Sequence, residues 1–191
     1  MSRFLLLDIG AGTLDVLWYD TESVHHYKAV VVSPVRTIAE QAARLAGDLL
    51  VTGCEMGGGP VTTILRERAA THTVVMSASA AATLAHDLAR VRAWGITVVG
   101  DDEAEALRRR KNYSHLVLRD VQADRLWQIV ESFGVPYEFD AVAICAQDHG
   151  VPPQGVSHLD FRHHIYRERL DAQPLPQTLL FAAGEIPPVM N

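Results

Sequence analysis

LLLDIGAGTLDVLWYD, residues 5–20, runs from an apolar segment into an acid, through two glycines and a threonine to a second acid, and back to apolar residues. Two readings fit it. One is a tight hairpin, with the glycines making the bend and Asp15 capping it. The other is a cradle for a phosphate and its metal ion. In that reading Gly10 and Gly12 let backbone N–H groups approach an anion, with Ala11 between them. Thr13 offers its hydroxyl to a phosphate oxygen. Asp8 ends a buried strand, where it can hold hydrated Mg²⁺, and Asp15 orients that shell or a water.

The surroundings favour a sheet edge. Residues 4–7 form a continuous apolar run that reads as a buried strand, 14–19 as a second strand, and 24–32 as a third, rich in β-branched residues. Short turns join them, which predicts an antiparallel meander. The period then changes. Ser33-Pro34 can open a helix with an apolar stripe of Ile38, Ala42 and Leu45, stopped by Gly47. Strands are expected near 49–51, 73–76, 96–99, 115–118 and 141–145. Helices fit near 61–70, 79–94, 102–110, 124–133 and 158–170. Such alternation predicts parallel strands with crossover helices.

Two further loops carry candidate chemistry. In VTGCEMGGGPVTTI, residues 51–64, a strand ends, Gly57, Gly58 and Gly59 follow, and Pro60 opens a helix whose N-terminus can attract an anion. The alternative is a flexible strand-to-helix turn, and Glu55 is a possible acid beside it. In AICAQDHG, residues 143–150, an apolar strand delivers Gln147, Asp148 and His149 to its carboxyl end, where ligands of parallel sheets gather. Asp148 reads as a general base or metal ligand and His149 as a proton carrier; the alternative is a polar turn before Pro152-Pro153. Adjacent histidines at 25–26 and 163–164 point apart and chelate poorly. Trp18, Trp94 and Trp127 read as packing residues, and Cys54 and Cys145 as buried thiols of a reducing compartment.

The sequence has 191 residues, 48% hydrophobic and 21% charged, with a net charge of −6. This is globular composition, and the acidic balance argues against nucleic acid as a partner. No apolar run reaches the length of a membrane span, so no membrane partner is expected and the chain reads as cytoplasmic. Residues 171–191 hold several prolines and no closing helix. They read as an arm on a lobe of residues 1–170, or as the start of a missing second lobe.

The spelling Asp-x-Gly-x-Gly-Thr-x-Asp between two strands resembles the phosphate loops of the sugar kinase, heat-shock ATPase and actin superfamily. That resemblance implies an α/β fold with a ribonuclease-H-like, actin-like ATPase lobe: an antiparallel three-strand meander, then alternating helices and parallel strands. It implies ATP or another nucleotide with Mg²⁺, Asp8 as the metal-side carboxylate, Gly10, Ala11, Gly12 and Thr13 as the cradle, and Asp15 as an auxiliary acid. The spelling is nearer to that superfamily's second phosphate loop, although it stands at the N-terminus, where the first belongs. More closely, DIGAGTLD, MGGGP, HDLARV and AQDHG, spread over residues 8–150, resemble a prokaryotic family labelled "pyruvate formate-lyase activating enzyme-like". A radical activase holds an iron–sulfur cluster on clustered cysteines. Cys54 and Cys145 cannot supply them, so neither the cluster nor that activity is expected.

The expectation is thus a nucleotide-binding phosphotransferase or ATPase, with Asp8 and Asp148 as its catalytic acids. It would close over its ligand with a second lobe or a second copy of the chain. Two other readings remain open: a binding module of the same fold without turnover, and a small-molecule hydrolase using Gln147, Asp148 and His149.

Overall fold

The computed structural model describes residues 2–56, 59–110, 112–146, 152–153 and 155–188. Contacts divide the chain into two units, Met1–Ala146 and Gln147–Asn191. The first unit is α/β and holds two four-stranded sheets. The second contains a helix, His158–Ala172, started by the Ser157 hydroxyl accepting from the Asp160 N–H, and a 3-10 turn, Pro176–Leu179.

Sheet A begins with the expected meander: β1 (Arg3–Ile9), β2 (Thr13–Asp20) and β3 (His26–Val32), antiparallel in sequence order. Its fourth strand is the last among the described residues. β8 (Ala141–Ala146) lies parallel to β1, pairing Phe4 with Ala141 and Asp8 with Cys145. Alternate residues of β1 and β2 point to one face, where Leu5, Leu7, Ile9, Leu14, Val16 and Trp18 are buried against Leu126 and Val130 of α6 (Ala123–Ser132). The opposite face carries Leu6, Asp8, Asp15 and Val30. On it Asp8, Leu6 and Val30 are exposed and Asp15 is half-buried.

Sheet B is wholly parallel. It comprises β4 (Leu49–Cys54), β5 (Val74–Ser77), β6 (Thr97–Val99) and β7 (Ser114–Arg119), in the spatial order β6-β5-β4-β7. Both faces are covered, which explains why its strands read as unbroken apolar runs. Leu49, Val51, Val74, Met76, Leu116 and Leu118 face α1 (Pro34–Arg44), α2 (Gly59–Ala69), α3 (Ala78–Leu84) and α4 (Leu88–Ala93). Leu50 and Val75 face Ala104 of α5 (Asp101–Arg108) on the other side. Each fully buried leucine or methionine here is worth about 1.5–3 kcal/mol of transfer energy.

Several expectations change. The helix expected over 79–94 is two helices. Ala85 is extended, and the Asp87 carboxylate accepts from the Ala89 N–H at 2.9 Å, so an N-cap starts α4 afresh. α1 stops at Arg44, with Leu45 already extended, before Gly47 is reached. β3 starts at His26 because Val24 sits at φ 57°, a conformation hostile to a β-branched residue in a strand. Both cysteines are exposed, not buried: Cys54 closes β4 and Cys145 lies on edge strand β8. Trp18 is core, but Trp127 is 46% exposed, and Trp94 is half-buried with the Arg66 and Arg90 guanidinia 5.0 and 5.6 Å from its ring. Among the described residues no helix is long and apolar enough to cross a membrane.

Gly53 is required by the close approach of β4 to β7. Its φ is +81°, and a Cβ there would lie 2.3 Å from the Leu118 carbonyl oxygen. Gly47 shares the left-handed conformation (φ +70°) but faces open space. Gly47→Ala should cost about 1–2 kcal/mol, the conformational penalty alone. Gly53→Ala should cost clearly more, read as a larger fall in urea midpoint; equal falls would contradict the close packing.

Candidate functional site

The hairpin between β1 and β2 is pinned from outside. The Gly10 N–H donates to the Thr13 carbonyl at 2.9 Å. Ser33, fully buried, donates its hydroxyl to the Gly10 carbonyl at 2.6 Å and its N–H to the Gly12 carbonyl at 3.1 Å. The same hydroxyl accepts from the Val35 N–H and caps α1. The turn is therefore fixed, while Ala11 and Gly12 at its tip are exposed. Neither Gly10 nor Gly12 adopts a positive φ. A Cβ on Gly12 would meet nothing within 4 Å. The bend thus does not itself demand glycine at position 12, and the missing side chain leaves bare backbone open to solvent.

Asp8 and Asp15 are direct cross-strand partners on the outer face of this hairpin. The Thr13 hydroxyl donates to Asp15 Oδ2 at 3.2 Å. Like charges opposite one another destabilise a strand pair, and among the described residues neither carboxylate has an ion-pair partner. Cys145 lies beside Asp8 on β8; burial, then the neighbouring Asp8 carboxylate, pushes its thiol up and away from thiolate. Two carboxylates, a hydroxyl and open backbone suit Mg²⁺, which keeps several waters and takes one or two carboxylates plus phosphate oxygens. Asp8 and Asp15 are the residues that would hold it.

The hairpin thus brings together Asp8, Gly10, Ala11, Gly12, Thr13 and Asp15. Gly59 opens α2 at φ +55°. Gly57 and Gly58, and the whole Gln147, Asp148, His149 group, lie outside the described residues.

A second acidic pair follows sheet B. Cys54 and Arg119, the last residues of β4 and β7, are register partners, so Glu55 and Asp120 leave adjoining parallel strands side by side. Glu55 is 6% exposed, and both its carboxylate oxygens are buried with no hydrogen-bond partner among the described residues. Asp120 Oδ1 is likewise buried and, among the described residues, unpartnered. Burial, then the neighbouring Asp120 charge, pushes the Glu55 carboxyl up to about 7; burial raises Asp120 as well. Asp120 is missing from the sequence expectations. Its signal was an acid directly after the apolar strand HLVL and one intervening arginine, the same pattern that marked Asp8. Among the described residues no group of three or more His, Cys, Asp or Glu gathers for a metal ion, so both centres are two-carboxylate sites.

The family model described as "Putative pyruvate format-lyase activating enzyme (DUF1786)" matches residues 56–191. The chain belongs to this family. No curated protein and no solved structure matches the chain. The DUF1786 match takes in MGGGP, HDLARV and AQDHG and starts after both DIGAGTLD and Glu55, while Asp120 lies inside it. The activity in the family's description calls for a thiolate-held cluster. The two cysteines of this chain stand on different sheets, Cys54 on β4 and Cys145 on β8, and do not fit it.

The raised Glu55 carboxyl fixes the sign of a pH effect. In the folded chain Glu55 keeps its proton up to about 7, whereas its ordinary value is 4.5. Its contribution to stability is therefore full below about 4.5 and is lost as pH rises through 7. In chelator-containing buffer, Glu55→Gln should gain on the wild type by on the order of 2 kcal/mol between pH 4.5 and 8. Parallel urea titrations check this; a constant gap across that window would contradict it.

Proposed function

We propose that the protein binds the phosphate chain of a nucleotide, with Mg²⁺, over the β1–β2 hairpin, and acts as a phosphotransferase or ATPase of the actin-like type. The observation that carries this reading is the facing pair Asp8 and Asp15, joined to Thr13, beside backbone that Gly12 leaves bare. A pair of uncompensated carboxylates favours a cation, and a cation bound there by two carboxylates keeps positions for phosphate oxygens. The Gly12 backbone and the Thr13 hydroxyl supply donors for the same phosphates. The antiparallel meander, with a parallel strand on the far side of β1, supports a ribonuclease-H-like lobe. Phosphoryl transfer needs little covalent chemistry from the protein, so a fixed turn that positions phosphate and metal is the principal requirement. Ser33 supplies that fixity.

Calorimetry of Mg-ATP against the full chain tests the reading. The wild type should bind, and Asp8→Asn should weaken binding at least tenfold, about 1.4 kcal/mol. Without ligand the same variant should melt higher, because it removes one of two facing charges. Phosphate release in the same samples separates turnover from binding alone. No heat with wild type, or equal affinity in the variant, would overturn the proposal.

A further inference from the structure

We propose that Glu55 and Asp120 form a second site, distinct from the hairpin, that takes a divalent metal ion held by oxygen ligands. The strand order of sheet B locates it. Running β4 to β5 to β6 the chain builds outward in one direction, then returns through α5 to place β7 on the other side of β4. The order therefore reverses between β4 and β7. In open parallel sheets the crevice at the carboxyl ends of two such strands is where ligands collect, because the loops that follow them diverge to opposite faces. Glu55 and Asp120 are the residues that follow those two strands, in register.

The local backbone turns Glu55 inward. Gly53, two residues earlier, is in the left-handed region and leaves no room for a Cβ beside the Leu118 carbonyl. Met56, one residue later, packs against the core beneath sheet A. Glu55 is thus held between two anchored positions and is 94% enclosed, with Oε1 and Oε2 both lacking a partner among the described residues. Asp120 adds a third orphaned oxygen, Oδ1. Buried acceptors without partners are costly, and two adjacent acids cannot supply one another with donors while both are charged.

The chemistry of the missing partner follows from the oxygens. Three unpartnered carboxyl oxygens suit a cation, which would take the place of the Glu55 proton. Glu55 is too enclosed for a bulky one, which leaves a compact ion. An oxygen-only donor set with no imidazole suits Mg²⁺, Mn²⁺ or Ca²⁺ rather than zinc or copper. Asp120 is half-exposed, so water can reach that side and complete the shell. The site does not depend on the hairpin reading: it uses neither Asp8 nor Asp15.

Mn²⁺ titration of the chelator-stripped full chain, followed by paramagnetic resonance of free Mn²⁺, tests the site. Asp8→Asn serves as the background, which removes the hairpin's metal-side carboxylate. That variant should still bind one Mn²⁺. Adding Glu55→Gln or Asp120→Asn should weaken that binding at least tenfold, and Mn²⁺ should raise the melting temperature of the Asp8→Asn chain but of neither double variant. Glu55→Gln removes a buried charge and keeps the side-chain volume, and its circular dichroism reports whether it is folded. Asp120→Asn tests the same site from the other strand. No Mn²⁺ bound by the Asp8→Asn chain, or affinity held within twofold in folded double variants, would overturn the proposal. Failure of nucleotide binding would leave these outcomes unchanged.

Discussion

Ser33 joins the two halves of the first unit. Its hydroxyl and N–H hold the carbonyls on both sides of the hairpin tip, and the same hydroxyl starts α1. α1 then buries Ile38, Ala39 and Ala42 against sheet B. A side chain with no exposure thus ties the loop of one sheet to a covering helix of the other. The loop that carries the candidate phosphate contacts inherits its rigidity from a core, although its tip is in solvent. Removing the hydroxyl would orphan the Gly10 carbonyl and the Val35 N–H together, a coupled loss that is larger than one hydrogen bond.

From Ser33 the connection continues toward the second acidic centre. Its carbonyl accepts from the Thr37 N–H, and the Thr37 hydroxyl meets the Gln122 side chain, two residues beyond Asp120. Hydrogen bonds through α1 therefore run from the hairpin that carries the Asp8–Asp15 pair to the segment that follows the Glu55–Asp120 pair. Both are acidic pairs at strand ends, but their settings differ. Asp8 and Asp15 face water and retain screening; Glu55 is enclosed, and its charge is resisted by the medium around it.

Periodicity alone located the meander and the alternation of strands and helices, because each of those signals is local. The capping serines at 33 and 157 were legible for the same reason: a cap contacts residues two or three positions away. What escaped depends on distant partners. The division of the strands into two sheets rests on β8 choosing β1, a pairing that no local pattern encodes. The break between α3 and α4 turned on whether Asp87 would cap or sit on a helix surface, and both are common for aspartate. The cysteines read as buried because free thiols usually are, yet Cys145 lies exposed on an edge strand. Asp120 escaped because an acid after a strand is ordinary until its neighbour is known to be another enclosed acid.

The pairing of β8 with β1 also sets an order on how the chain can be completed. Arg3 and Asp140, which join the start of β1 to the approach of β8, are 137 positions apart. All of sheet B lies between them in sequence: β4, β5 and β6 pair in sequence order, and β7 returns to β4. Sheet B is nested within sheet A, and its strands have their partners at hand long before β1 acquires its second one. On the ribosome, one edge of β1 stays open until residue 146 has emerged, with the alternating Leu5, Leu7 and Ile9 beside it. An open apolar edge of that length is a template for a wrong strand. The hairpin that presents Asp8 is thus built early and sealed last, and any ligand that grips it gains its final wall only when synthesis of this unit is nearly done.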